Sequence, residues 1–140
     1  MNPEPIIIEP AAKTPEIIFD KKHGVFQIRG RSISENAGEF YQPVKEWMKE
    51  YVKDPNPETK LLLNFDYLNS SSLIQISNII RILEEAYNNG HKVLVIWQYE
   101  EGDELIENTG IELNIISKVP FVTEIYEPED YENFDFDFDA

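Results

Sequence analysis

The chain has 140 residues, 12 Lys and Arg against 27 Asp and Glu, a formal net charge of −15, and no cysteine. That length suits one domain able to bury roughly two thirds of its unfolded surface, and the missing thiols exclude a disulfide framework, thiolate metal centres and a cysteine nucleophile. Residues 1–99 are nearly balanced at −2, whereas residues 100–140 hold 14 acids against Lys118, net −13; such a field repels phosphate backbones and anionic lipid, so neither nucleic acid nor a membrane is expected as partner.

Pro3, Pro5, Pro10 and Pro15 favour extended chain, which suggests a flexible leader over residues 1–13. It has no basic region and only Ile6–Ile8 as an apolar run, so it does not read as a secretory signal, and a cytoplasmic location is the default. A folded domain is expected over 14–127, followed by an acidic tail over 128–140. Glu16–Asp20 and Val25–Gly30, joined by Lys21-Lys22-His23-Gly24, have the signature of a β-hairpin. Phe40, Val44, Trp47, Met48 and Tyr51 then recur at helical spacing. Asn36 and Glu39 stand at capping-box distance, and Asp54-Pro55-Asn56-Pro57 ends the helix. Pro43 inside this pattern implies either a kink or a regular helix that starts there.

Leu61–Leu68 and Val93–Trp97 begin as unbroken apolar runs, the mark of central parallel strands covered on both faces. Between them Leu73, Ile76, Ile80, Leu83 and Tyr87 form a helical stripe that stops at Asn88-Asn89-Gly90. A third helix follows Glu100-Glu101-Gly102, with Leu105, Ile106, Ile111, Leu113 and Ile116 as expected core positions and Gly110 placed to split it. Phe121–Tyr126 is a last strand. The fold class is α/β: one layer of three helices against a mixed sheet of four to five strands with an N-terminal hairpin.

Groups for chemistry are sparse. His23 and His91 fall in turns and read as solvated. The six glycines make no phosphate-binding loop or dinucleotide fingerprint. Glu100, Glu101, Asp103 and Glu104 are oxygen ligands of the kind Mg²⁺ or Ca²⁺ takes, but their spacing matches no ion-binding loop, and acids at a helix N-terminus are explained by the dipole. No cofactor and no metal are expected. A competing reading, a small metal-assisted hydrolase or transferase using Asp66, Asp103 and Glu104, rests on carboxylates near strand ends alone.

One segment is different. The strand ending in Tyr67-Leu68 passes through Asn69-Ser70-Ser71-Ser72 directly into a helix. Asn and Ser are preferred caps, and one cap accounts for one hydroxyl. Three serines at the C-terminal edge of a parallel strand also suit a modified hydroxyl, since a phosphate there would face free N–H groups and the positive helix end. Both accounts stand on the residues alone.

Gly30-Arg31-Ser32-Ile33-Ser34-Glu35-Asn36, Phe40-Tyr41-Gln42-Pro43-Val44 with Trp47, Tyr67-Leu68-Asn69-Ser70-Ser71-Ser72, and Trp97-Gln98-Tyr99-Glu100 with Asp103-Glu104 follow Thr14-Pro15 in this order. Together, over about Thr14 to Tyr126, they resemble the SiaC regulatory phosphoprotein family. The resemblance implies a fold similar to the STAS domains of anti-sigma-factor antagonists, and a bacterial adaptor rather than an enzyme. It implies a partner-switching module, in which a histidine-kinase-like ATPase phosphorylates the protein, a serine phosphatase clears it, and the two forms bind different partners. One such effector is a diguanylate cyclase, which connects the family to cyclic di-GMP and biofilm. The family's acceptor follows the Asn of Tyr-Leu-Asn, which is Ser70 in this chain, with Ser71 and Ser72 as neighbouring alternatives. Asn69 and Ser71 would frame it, and Ser34, Glu35, Asn36 and Tyr67 would meet partners. The Phe-Asp alternation of residues 134–139 suits either a docking strand or a solubilising tail.

Overall fold

The computed structural model describes residues 3–127. Six strands, β1 (Ile6–Ile8), β2 (Glu16–Asp20), β3 (Val25–Ser32), β4 (Glu58–Leu68), β5 (Lys92–Glu100) and β6 (Phe121–Tyr126), lie side by side in chain order. β1, β2 and β3 are antiparallel, and β3 to β6 are parallel. Each parallel step is made by one helix: α1 (Ala37–Tyr51), α2 (Ser70–Asn88) and α3 (Glu104–Ile116). Because the strands advance in one direction, crossovers of one hand put every helix on the same side of the sheet. The acidic tail 128–140 lies outside the described residues.

Ile17, Phe19, Phe26, Ile28, Leu61, Leu63, Phe65, Val95, Trp97 and Phe121 form the covered face and are buried. On the other face Ile18, Leu62, Leu94 and Ile96 are only half-buried. The expectation that the apolar runs of β4 and β5 are covered on both faces is therefore corrected, for one-directional topology leaves no helix for the second face. A polar row crosses that face in register. Arg29 pairs with Glu16 at 3.1 Å, the Asn64 amide donates to Gln98 at 3.0 Å, and Gln98 donates to Glu124 at 2.8 Å.

The sheet has six strands rather than four to five, because the leader contributes one. Ile6, Ile7 and Ile8 pair with Phe19, Ile18 and Ile17, and Trp47 Nε1 on α1 donates to the Glu4 carbonyl at 2.6 Å. Folded structure thus begins well before Thr14, which corrects the 1–13 leader. Helix α1 runs from Ala37 through Pro43, which sits on its exposed side. Asn36 precedes the helix without a side-chain cap bond, so the capping box does not form.

Gly110 does not break α3. The helix is continuous, and Gly110 is buried against the Trp97 indole, whose Nε1 donates to the Ile106 carbonyl at 2.9 Å. Of the five residues expected in the α3 core, Ile106 and Leu113 are buried, whereas Leu105, Ile111 and Ile116 are 74%, 45% and 71% exposed. The helix sits near the sheet edge and has only a narrow side to bury. No helix among the described residues is long and apolar enough to cross a membrane.

Candidate functional site

The site is built by an irregularity in the sheet. Along β3 and β4 the register runs Gly30 to Phe65 and then Arg31 to Tyr67, which leaves Asp66 as an extra residue on β4. A bulge of this kind reverses which face later residues meet. Leu61, Leu63 and Phe65 point into the core, and without the bulge Tyr67 would follow them. Instead Tyr67 is 57% exposed and Leu68 packs against the core. Gly30, at φ 118°, supplies the backbone freedom on the partner strand. The Arg31 guanidinium then lies 5.1 Å from the centre of the Tyr67 ring, a cation–π contact at the strand ends.

One residue further on, the chain turns into α2 through Asn69. Its Oδ1 accepts from the Ser72 N–H at 2.8 Å and from the Ser71 hydroxyl at 3.2 Å, a side-chain N-cap. Its backbone N–H donates to the Ser32 carbonyl at 3.0 Å, and its Nδ2 donates to the Ser34 carbonyl at 3.2 Å. The loop after β3 is thereby fastened to the entrance of α2. Ser34 also holds its own loop, accepting the Asn36 N–H at 3.1 Å.

The three serines part company. Ser70 and Ser71 are exposed, while Ser72 is fully buried. The Ser32 hydroxyl, itself buried, donates to Ser72 Oγ at 2.8 Å and lies 2.6 Å from Tyr41 Oη. Since Ser32 has one hydroxyl proton and gives it to Ser72, Tyr41 is the donor in the second bond. Burial pushes the Tyr41 phenol well above its ordinary pKa, against the pull of the Ser32 bond, which keeps that donor protonated. Ser72 is thus a structural hydroxyl, and its standing as an alternative acceptor is corrected: no partner reaches it while the helix entrance is folded. Neither Ser32 nor Tyr41 was singled out from the sequence, because the chain Tyr41–Ser32–Ser72 joins α1, β3 and α2 across separations that no periodicity records.

Glu35 and Asn36 are exposed and Ser34 half-buried, so Ser34, Glu35, Asn36, Tyr67, Asn69 and Ser71 share one end of the sheet with Ser70. No acid occupies the first turn of α2, so the positive end of that helix is not offset from within the turn.

A cleft of about 530 Å³ beside this end is lined by Arg31, Phe65, Asp66, Tyr67, Glu100, Asp103 and Tyr126. Burial first, and then the Asp66 carboxylate, raise the Tyr126 phenol against a hydrogen bond from Asn64. Asp66 and Asp103 line this cleft, but Asp103 caps α3 by accepting the Ile106 N–H at 3.1 Å, and Glu104 belongs to the first turn of that helix. Among the described residues no three His, Asp or Glu side chains are placed to hold a metal ion. His23 is exposed in its turn, 2.8 Å from Asp20, and His91 closes the end of α2 by its N–H to the Ala86 carbonyl at 3.1 Å. The residues expected to frame a modified hydroxyl meet; those of the metal reading do not form a centre.

Residues 8–126 match the family described as SiaC family regulatory phosphoprotein. The chain belongs to the SiaC family. That description is of a regulator and not of an enzyme. SiaC of Pseudomonas aeruginosa is similar in structure, with a TM-score of 0.80 and 27% identity, over 88% of this chain and 99% of that one. A structure of the diguanylate cyclase SiaD in complex with its activator SiaC, from the same organism, matches with a TM-score of 0.80 and 28% identity, over 86% and 99% of the two chains. An uncharacterized protein of Pseudomonas aeruginosa strain UCBPP-PA14 is 29% identical over 114 residues, spanning 81% of this chain and 90% of that protein. SiaC membership places this chain in bacterial signal transduction through protein contacts.

Proposed function

We propose that this chain is a STAS-like phospho-switch adaptor whose acceptor is Ser70. The observation that carries this reading is the exposed hydroxyl residue that opens α2, beside a loop tied to the same cap. A kinase of the histidine-kinase-like ATPase class transfers the γ-phosphoryl group of ATP. The Ser70 Oγ–P bond forms, the bond from the γ-phosphorus to the bridging oxygen breaks, ADP leaves, and the hydroxyl proton passes to a kinase base. A serine phosphatase returns the hydroxyl by hydrolysis. The added charge of about −1.5 to −2 repaints the surface formed by Ser34, Glu35, Asn36, Tyr67, Asn69 and Ser71 without unfolding the domain. The effector is a diguanylate cyclase, a role supported by the similar SiaC being named as the activator of SiaD, and the module works in the cytoplasm where ATP is available. The folded unit is one domain, to which β1 adds an edge strand.

Incubation with the cognate kinase and ATP adds one phosphate, read by mass spectrometry, and Ser70→Ala abolishes the uptake. The two forms differ in pull-down of the cyclase. Full phosphorylation of Ser70→Ala, or equal binding of both forms, overturns the reading.

A further inference from the structure

We infer that Asn69 is the positioning residue that transmits the state of Ser70 to the Ser34–Asn36 loop, because its two amide atoms serve two different elements. Oδ1 holds the entrance of α2, through the Ser72 N–H and the Ser71 hydroxyl. Nδ2 holds the loop, through the Ser34 carbonyl. One planar group cannot turn away from the first without leaving the second. This rests on Ser70 as the acceptor and adds how its modification is relayed.

The competition follows from charge. A phosphate on Ser70 stands on the first residue of α2, next to the same N–H and hydroxyl donors that Asn69 now caps. Bonds from these donors to an anionic oxygen are roughly twice as strong as to a neutral amide oxygen, and the helix end adds its own attraction. The phosphate takes over the cap, the Asn69 side chain turns out, and the 3.2 Å bond to Ser34 is lost. The Ser34–Asn36 turn loosens, while the backbone bond from Asn69 to Ser32 and the buried Tyr41–Ser32–Ser72 chain hold the end of β3 in place. Partners thus meet a changed phosphate and a changed loop in one event.

Asn69→Asp separates the two functions, since it keeps the Oδ1 acceptor of the cap and replaces the Nδ2 donor to Ser34 with a second acceptor oxygen; Asn69→Ser does the same with a shorter cap and serves as a second variant. The test uses full-length protein with phosphoserine installed at position 70 by genetic encoding, so it does not depend on a kinase. Hydrogen exchange is read at the amides of residues 34–37. In the wild-type chain phosphoserine speeds that exchange about tenfold, the scale of a released local contact. Both Asn69 variants exchange fast without phosphate and gain nothing further from it, while their melting temperatures confirm an intact fold. A wild-type loop that ignores the phosphate, or Asn69 variants that respond as the wild type does, overturns the relay. A kinase that modifies a residue other than Ser70 instead overturns the acceptor assignment, which mass spectrometry reports separately.

Discussion

Gly110 and Trp97 are in direct contact: a Cβ on residue 110 would clash with the indole at Cδ1, and would lie 2.6 Å from Nε1 and 2.9 Å from Cγ. Gly38 offers the contrast, for there a Cβ would meet only the Gln75 amide nitrogen at 3.6 Å, an ordinary contact on an exposed part of α1. Gly110→Ala therefore costs about 1–3 kcal/mol of overpacking strain, whereas Gly38→Ala stabilises by up to about 1 kcal/mol through helix propensity. Urea unfolding of the two variants separates them, and equal midpoints would contradict the close approach.

Tyr41 supplies a proton to a sealed polar chain. Tyr41→Phe leaves Ser32 Oγ without its donor inside the core and costs about 1–3 kcal/mol. A pH dependence follows as well. Burial raises the phenols of Tyr41 and Tyr51 above the ordinary value, against hydrogen bonds to Ser32 and Thr59 respectively. An unfolded tyrosine loses its proton near pH about 10, while the folded chain still holds it. Above that pH the unfolded state binds fewer protons, so stability is fully present below about pH 10 and falls as pH rises toward the folded values. Thermal melting from neutral to strongly alkaline pH shows this decline, and Tyr41→Phe makes it shallower. An unchanged slope in the variant counts against the buried assignment.

The serine series divides stability from modification. Ser70→Ala removes an exposed hydroxyl and changes stability by less than about 0.5 kcal/mol, so its loss of phosphate uptake is not a folding effect. Ser72→Ala takes away the acceptor of the Ser32 proton in a fully buried position and costs about 1–3 kcal/mol, yet still takes up one phosphate. Calorimetry together with intact mass on both variants checks the pair.

On α3 the exposed apolar residues are tolerant. Leu105→Ser and Ile116→Ser each shift stability by less than about 0.5 kcal/mol, because both side chains are largely in water. Leu113→Ala, on the buried side, costs about 2–5 kcal/mol. Chemical denaturation ranks the three, and a large loss at Leu105 or Ile116 would return those residues to the core.

Hairpin, helix, strand, helix, strand, helix and strand were legible in chain order, since each shows its own period over a few neighbouring residues. The triple serine was legible too, as hydroxyls next to a capping Asn. What escaped depended on distance. Ile6–Ile8, three residues between prolines, form a strand only because Phe19–Ile17 offers them an edge and Trp47 ties down Glu4. Gly110 looked like a break, and it is a contact surface for a residue on another element.

Order along the chain, the acidic balance and the chemistry of residues 69–72 are local properties, and the amino acids alone settle them. That Ser72 is sealed while Ser70 and Ser71 stay exposed was decided by packing. Asn69, Ser70, Ser71 and Ser72 are consecutive, but the helix turns each to a different side, and β3 with α1 fills one of those sides with Ser32 and Tyr41. The extra residue at Asp66 turns Tyr67 outward by the same geometric rule, since a single insertion in a strand reverses every face that follows it.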